Sequence, residues 1–323
     1  MTIIFHGMHG IGDSLHERAI VRELMRAHEV WLKTSFPQLY WDLVPALHLL
    51  PLASPIAWMA KNEARCADLY TTERPPAGAR VIRCAYLWPE AKSSSVLAAM
   101  SKRCGVALGD FRLPIAPAWQ RKADALIASL PDRPLLVTRP LLTISDRQNW
   151  GSAKAKLARN PDPVAYAELF AGIRERYFVI SIADAMPARE KVLLPIDADL
   201  EFHSGELALE TVAALTARAA LVYCSPCFLT VLAQAVETPQ VCVFGGFEGA
   251  NSFAAGARYS PWLPIEPEHP CACWDWSCRH DKTIDIAAAA AQIEHFIRDH
   301  HADPAHARHA QEPARTPHAR AIA

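Results

Sequence analysis

The sequence predicts an α/β protein with two Rossmann-like domains facing each other across a cleft. Three observations predict it. The chain opens with an apolar strand, Thr2-Ile3-Ile4-Phe5, then a turn holding Gly7, Gly10 and Gly12, then a helical pattern from Ser14 to about His28. This strand, glycine turn and helix are the start of a βαβ unit. After a proline-bearing link at 111–117, the alternation of apolar strands and amphipathic helices restarts at Leu135. Finally, 323 residues, 51% of them hydrophobic, are enough for two medium-sized cores.

In the first half, Leu15, Ala19, Leu24 and Met25 form the apolar side of the opening helix, with Arg18, Arg22, Glu23 and Arg26 between them. The Glu29–Thr34 segment reads as the next strand. Residues 36–60, rich in proline and aromatics, read as short helices and loops along the cleft or as packed surface loops. Short strands are expected at Ala67–Tyr70 and Arg80–Leu87, and a helix at Ser93–Arg103 ended by Gly105.

In the second half a helix at 118–130 precedes a strand, Leu135–Thr138, that ends at Arg139. A polar, basic stretch follows and holds Arg147, Lys154 and Arg159. It leaves the carboxyl end of a strand, where open α/β sheets bind ligands. Helix Val164–Tyr177, strand Phe178–Ile182, a helix near Ala188, helix Ala208–Arg218 and strand Ala220–Cys224 continue the pattern. Helix Phe228–Val236 and strand Gln240–Phe244 complete it, ending in Gly245-Gly246. Residues 260–283 break it with proline, tryptophan and cysteine. An alanine-rich helix at Asp285–Arg298 follows, then a tail of Ala, His, Pro and Arg with the composition of a disordered segment. The expected organisation is therefore 1–116, 117–284, a helix at 285–299 and a tail at 300–323.

A formal net charge of −1 gives no global electrostatic case for nucleic acid or an anionic membrane surface. No apolar run has the length of a membrane-spanning helix. Nine cysteines, with Met1 leading straight into a strand rather than a signal pattern, suggest reduced thiols and a cytoplasmic location.

The glycine spacing of the opening turn is neither the dinucleotide fingerprint nor a P-loop. Its interest lies in the helix start, where unpaired N–H groups favour an anionic or hydroxyl-rich ligand and where Asp13 or Ser14 would serve as N-cap. Asp13 is then either a plain cap or a carboxylate at the lip of a site. A second cluster, Cys271, Cys273, Cys278 and His280, places three thiols and an imidazole within ten positions. Its spacing is not the paired C-x2-C of ordinary zinc sites, so a structural zinc set and reduced thiols both stand as readings.

The order and spacing of several patches resemble glycosyltransferase family 9, the ADP-heptose:lipopolysaccharide heptosyltransferase-like group, which has the two-domain GT-B fold. The patches are Gly10-Ile11-Gly12-Asp13 with its helix, Leu221–Pro226, Ala233–Gly245 and, more weakly, the basic stretch Arg139–Arg159. The resemblance implies an inverting transferase that needs no cofactor or metal for transfer. It moves a sugar from a nucleotide-diphosphate donor to an acceptor hydroxyl, with Asp13 as general base. It places the donor near Gly10, Gly12, Arg139, Arg147, Lys154, Ser225, Pro226, Cys227 and Gly245, and assigns Glu190 to the nucleotide ribose. It also implies that the last helix crosses back onto the first domain. The acceptor stays open among a saccharide, a protein side chain and a modified nucleobase.

One departure matters. Family members carry Asp-Thr/Ser-Gly and then His in the turn after the Leu221–Cys224 strand, whereas this chain has Ser225-Pro226-Cys227 followed by Leu229 and Val231. The heptose donor is therefore not implied. A sugar-nucleotide epimerase or hydrolase, or a nucleotide-binding protein on a degenerate scaffold, remain alternatives on the same architecture.

Overall fold

The computed structural model describes residues 1–144, 157–184, 190–275 and 277–301. Two parallel sheets organise them. The first contains β1 (Thr2–His6), β2 (Glu29–Thr34), β3 (Leu47–Pro51) and β4 (Arg80–Arg83), in the order β3-β2-β1-β4. Its helices are α1 (Ile11–Met25), α2 (Ala57–Arg65), α3 (Trp88–Ser93) and α4 (Val96–Cys104). Helix α5 (Pro117–Ile127) leads to the second sheet, formed by β5 (Leu135–Thr138), β7 (Phe178–Ile182), β9 (Leu200–Phe202), β10 (Leu221–Cys224), β11 (Gln240–Val243) and β12 (Trp262–Ile265). Their order is β12-β11-β10-β5-β7-β9. Strands β6 (Leu141–Ile144) and β8 (Glu190–Leu194) form a separate antiparallel pair. Helices α6 (Pro163–Arg174), α7 (Leu209–Arg218), α8 (Phe228–Ala235) and α9 (Ile286–His301) complete the described chain.

The α/β architecture with two Rossmann-like sheets is the one the sequence predicts, and its boundaries follow local chemistry. Helix α4 is held at its start by Ser95, whose hydroxyl accepts from the Ala98 N–H at 3.1 Å, and is ended by Gly105 at φ +68. Because Ser95 caps there, the helix expected from Ser93 to Arg103 starts instead at Val96, and a separate short helix, α3, precedes it. Helix α6 begins with Pro163 behind Asp162, whose carboxylate accepts from the Val164 and Ala165 N–H groups.

Several other expectations are corrected. Ala67–Leu69 is a 3-10 turn rather than a strand, and β4 stops at Arg83, four residues short of Leu87 as expected. The proline-rich stretches hide two strands, β3 and β12. Strand β12 carries Pro264, tolerable because it lies at the sheet edge. The helix expected near Ala188 lies outside the described residues, as does the tail from 302 on.

The largest correction concerns the last helix. Ala289, Ile293, Phe296 and Ile297 of α9 share an apolar cluster with Leu136, Tyr166, Leu169, Phe170 and Ile173. Helix α9 thus packs on α6 and β12 of the second sheet instead of crossing to the first domain. The reason is that α6 and this face of the sheet present apolar side chains that α9 covers.

A second cluster runs without a break from the first sheet through α1 into α7 and α8. Arg18, fully buried on α1, anchors the first domain's side of it. Its guanidinium donates to both Asp42 carboxylate oxygens at 2.9 Å, to the Arg112 carbonyl at 2.8 Å and to the Leu39 carbonyl. Replacing Arg18 with Met leaves Asp42 and these carbonyls without their donor. We expect a loss of about 3–5 kcal/mol of unfolding free energy, read as a lowered urea midpoint at unchanged m-value.

Candidate functional site

Each sheet has one topological switch point. In the first, β2 and β3 extend to one side of β1 while β4 lies on the other. In the second, β7 and β9 extend to one side of β5 while β10, β11 and β12 lie on the other. Ligands of open α/β sheets bind at the carboxyl ends of the strands that flank such points. The segments leaving those ends are the opening turn after β1, the Cys84–Tyr86 segment after β4, Arg139 after β5 and Ser225–Cys227 after β10. The starts of α1 and α8 meet between the sheets. A Cβ built on Gly12 would stand 3.5 Å from both Phe228 Cα and Val231 Cγ2.

Helix α1 starts with Gly10 as N-cap and has no side-chain cap bond. Asp13 is therefore not the cap expected from the sequence but the third helical residue. Its carboxylate folds back over the turn, and a Cβ on Gly10 would stand 2.5 Å from its Oδ2. Gly10 thus makes room for Asp13. Asp13 keeps limited solvent contact. Burial raises its pKa to about 6, against the opposing pull of the Arg159 charge and a hydrogen bond from the Tyr86 hydroxyl. One turn on, Glu17 is fully buried and accepts the Met8 N–H at 2.5 Å. Burial above all, with the Asp13 charge as a lesser cause, holds its carboxyl well above the usual range.

On the second domain, Arg159 binds Glu248 through Nε at 2.7 Å and Nη2 at 2.5 Å, both to Oε1. Glu248 is 1% exposed, and its Oε2 has no partner. Burial raises the Glu248 pKa against the pull of Arg159. Burial also works against the Arg159 charge, but the Glu248 carboxylate more than offsets it. The Arg139 guanidinium lies 5.8 Å from the Phe228 ring centre, and its Nε has no hydrogen-bond partner. Cys227 caps α8, and its N–H donates to Thr230 Oγ1 at 3.3 Å. Contact with Cys224 and burial keep the Cys227 thiol protonated, although the Arg139 charge pulls the other way. An arginine with no ion-pair partner among the described residues, beside a helix start, suits an anionic group.

The sequence-derived candidates therefore separate. Asp13, Gly10, Arg139, Ser225, Pro226 and Cys227 lie at the two facing switch points. Gly12 lies in the packing between α1 and α8. Gly245 is a spacer, since a Cβ there would stand 2.2 Å from the Asn160 carbonyl oxygen and 2.6 Å from that of Arg159. Its bareness lets residues 159 and 160 lie against the end of β11. Arg147 and Lys154 fall outside the described residues. Glu190 opens β8 opposite Ile144, and its side chain is not among those described. Tyr86 and Glu248 are not among the sequence-derived candidates, and Arg159 is there only as the end of the basic stretch. Arg159 closes the basic stretch and Glu248 follows the Phe244–Phe247 segment, but neither pattern announces a pair 89 residues apart. An open groove of 760 Å³ at the far end of α1, lined by Arg22, Arg26, Arg258 and Tyr259 among others, contains none of these residues.

The cysteine cluster closes into one constellation. The ligand atoms of Cys271, Cys273, Cys278 and His280 all lie within 4.8 Å of one another. Cys271 Sγ is 3.5 Å from Cys273 Sγ, 4.0 Å from Cys278 Sγ and 3.0 Å from His280 Nδ1. A tetrahedral ion with metal–sulfur bonds of about 2.3 Å requires sulfur–sulfur edges of about 3.8 Å, so the set fits. Ala272 and Trp274, on either side of Cys273, have φ of +43 and +58, a left-handed backbone that bends the segment around the donors at some cost.

No family model matches the sequence, and no curated protein matches it. Solved structures do. The iron-containing dodecameric glycosyltransferase TibC from enterotoxigenic E. coli superposes with a TM-score of 0.61 at 18% identity, over 93% of this chain and 76% of that one. The ADP-heptose lipopolysaccharide heptosyltransferase II of E. coli gives 0.53 at 14% identity, over 91% and 100%. A family 9 glycosyltransferase from Veillonella parvula gives 0.52 at 11% identity, over 82% and 85%. Among the described residues no helix is long and apolar enough to cross a membrane. The chain has the heptosyltransferase-like fold, with two Rossmann-like domains face to face.

Proposed function

We propose that the protein is an inverting glycosyltransferase that uses a nucleotide-diphosphate sugar and activates an acceptor hydroxyl with Asp13. The observation that carries this reading is the position of Asp13. It is a carboxylate of raised pKa at the first domain's switch point, beside the start of α8 and Arg139. In the reaction the acceptor oxygen attacks the anomeric carbon and gives its proton to Asp13. The bond from that carbon to the diphosphate oxygen breaks, and the configuration inverts. A base with a pKa near 6 is ionised at neutral pH yet keeps a useful affinity for a proton. The nucleoside diphosphate leaves with its added charge facing Arg139, Arg159 and the positive end of α8. Since Arg159 is already paired with Glu248, Arg139 carries the uncompensated charge. Two structures of this fold belong to proteins that act on or bind ADP-heptose, which makes ADP-sugars the first donors to test.

Cys271, Cys273, Cys278 and His280 are proposed to hold one structural metal ion, which would cross-link their loop. The thiolate-rich set suits zinc or iron, and TibC, of the same fold, is iron-containing. Binding without transfer is favoured by one observation, the absence of a carboxylate and an imidazole from the turn at Ser225–Cys227. Donor consumption in the presence of a range of acceptors distinguishes the two readings.

Asp13→Asn is expected to lower turnover by ~10²–10⁴ while nucleotide affinity persists; near-normal turnover removes Asp13 from the role. In the parent protein kcat should rise with pH through about 6, because the base must be ionised. The same substitution should stabilise the fold. A carboxyl whose folded pKa lies above its unfolded value opposes folding once ionised, so stability falls as pH rises from about 4 through 6. Relative to the parent, Asp13→Asn should gain about 1–2 kcal/mol at pH 7.5 and progressively less toward pH 5, read by thermal melts. Elemental analysis should find one zinc or iron per chain, lost in Cys273→Ser; a metal-free parent protein purified under reducing conditions without chelator argues against the centre.

A further inference from the structure

The segment 271–280 reaches the proposed transfer site by two routes. Along the backbone, the Ala272 N–H donates to the Gly246 carbonyl at 3.0 Å and the Trp274 N–H to the Phe247 carbonyl at 3.0 Å. The Cys271 thiol also reaches the Gly246 carbonyl, at 3.4 Å, and the His280 ring stands edge-on to Phe247 with centroids 5.6 Å apart. The next residue in the chain is Glu248, which holds Arg159. Through side chains, the Trp274 ring packs on Phe247 at 5.5 Å and meets Tyr86 of the first domain edge-on at 6.3 Å. The Tyr86 hydroxyl faces the Asp13 carboxyl and favours its ionised form.

Tyr86 needs this outside support. It lies between the end of β4 and the start of α3, and its neighbours Leu87 and Trp88 are exposed. The supporting loop is itself costly to hold, with two left-handed residues that are not glycine and an exposed Cys271. A cross-link through its four convergent donors fixes it at little further cost in chain entropy.

We propose that the described residues of the loop, 271–275 and 277–280, tied together by their own Cys3His set, are the positioning element of the transfer site. In this arrangement Trp274 holds Tyr86 against Asp13 across the domain boundary, while the loop's backbone holds the strand end that carries Glu248 and Arg159. Tyr86 and Trp274 are positioning residues, and the assignment rests on Asp13 as the base.

The test uses the full-length, metal-loaded protein as parent, with Trp274→Leu, Trp274→Phe and Tyr86→Phe as variants. The Asp13 carboxyl is titrated by ¹³C NMR, assigned with Asp13→Asn. Arg159 and Glu17, the other titratable groups facing Asp13, are unchanged in all three. Loss of the tyrosine hydroxyl removes a donor to the ionised form, so Tyr86→Phe should move the midpoint up from about 6 by roughly half a pH unit. Trp274→Leu should move it similarly with metal content retained, and Trp274→Phe should restore it. Turnover should fall ~10-fold or more in Trp274→Leu with nucleotide affinity within about twofold. Parent protein stripped of metal by a chelator should show the same shifted midpoint, which also covers failure of Trp274→Leu to fold. A midpoint that moves in Tyr86→Phe but stays fixed in Trp274→Leu and in the stripped protein overturns the proposal. If the parent transfers no sugar, the function above fails, while the Asp13 titration still decides the positioning role.

Discussion

The packing of the start of α1 on the start of α8 is the constraint on which the site depends. It brings two switch points, one from each sheet, to opposite walls of one crevice, and it does so through Gly12, Phe228 and Val231. The surrounding contacts reinforce this alignment from several directions. Arg112 pairs with Glu237 at 2.9 Å, the Leu113 N–H donates to the Ala235 carbonyl, and Arg258 donates to the carbonyl of Gly109. Because one apolar cluster spans both domains, the facing of Asp13 and Arg139 is a property of the core rather than of mobile loops.

The charges in the crevice are unevenly balanced, and the imbalance is informative. Arg159 and Glu248 neutralise each other at close range. Glu17 is so deeply buried that its neutral form is favoured, with the Asp13 charge as a lesser cause. What remains unmatched is Asp13 on one wall and the Arg139 guanidinium on the other. A buried carboxyl on one wall and an arginine without an ion-pair partner among the described residues on the other are costly to the fold. Such costs are found where a ligand is meant to carry the missing partners. An acceptor hydroxyl and a diphosphate have the matching chemistry.

Much of the architecture was legible because it rests on local signals. The opening turn shows in Gly7, Gly10 and Gly12, and four of the six strands of the second sheet show as apolar runs between turn residues, as at Leu135–Thr138 and Phe178–Ile182. The pairing partners were not legible. Tyr86 meets Asp13, and Arg159 meets Glu248, only because distant strand ends converge. Strands β3 and β12 were hidden by their prolines. The apolar edge of α9 was visible in Ile293, Phe296 and Ile297, but amphipathicity identifies a buried face without identifying what buries it. Leu169, Phe170 and Ile173 of α6 supply that partner here.

The cysteine cluster shows the same limit from the other side. Its C-x-C-x4-C-x-H spacing departs from ordinary zinc motifs because those motifs place two cysteines on a tight turn with two residues between them. With a single residue between, an extended strand would point both thiols the same way but too far apart for one ion. The left-handed Ala272 shortens that separation, bringing Cys271 and Cys273 to 3.5 Å. Trp274 occupies a second left-handed position, and its indole is the part of the loop that reaches Tyr86. The tryptophan that crosses the domain boundary thus sits at the second bend, in the stretch between two of the thiols, Cys273 and Cys278. The donor set and the wall of the crevice are one piece of covalent geometry.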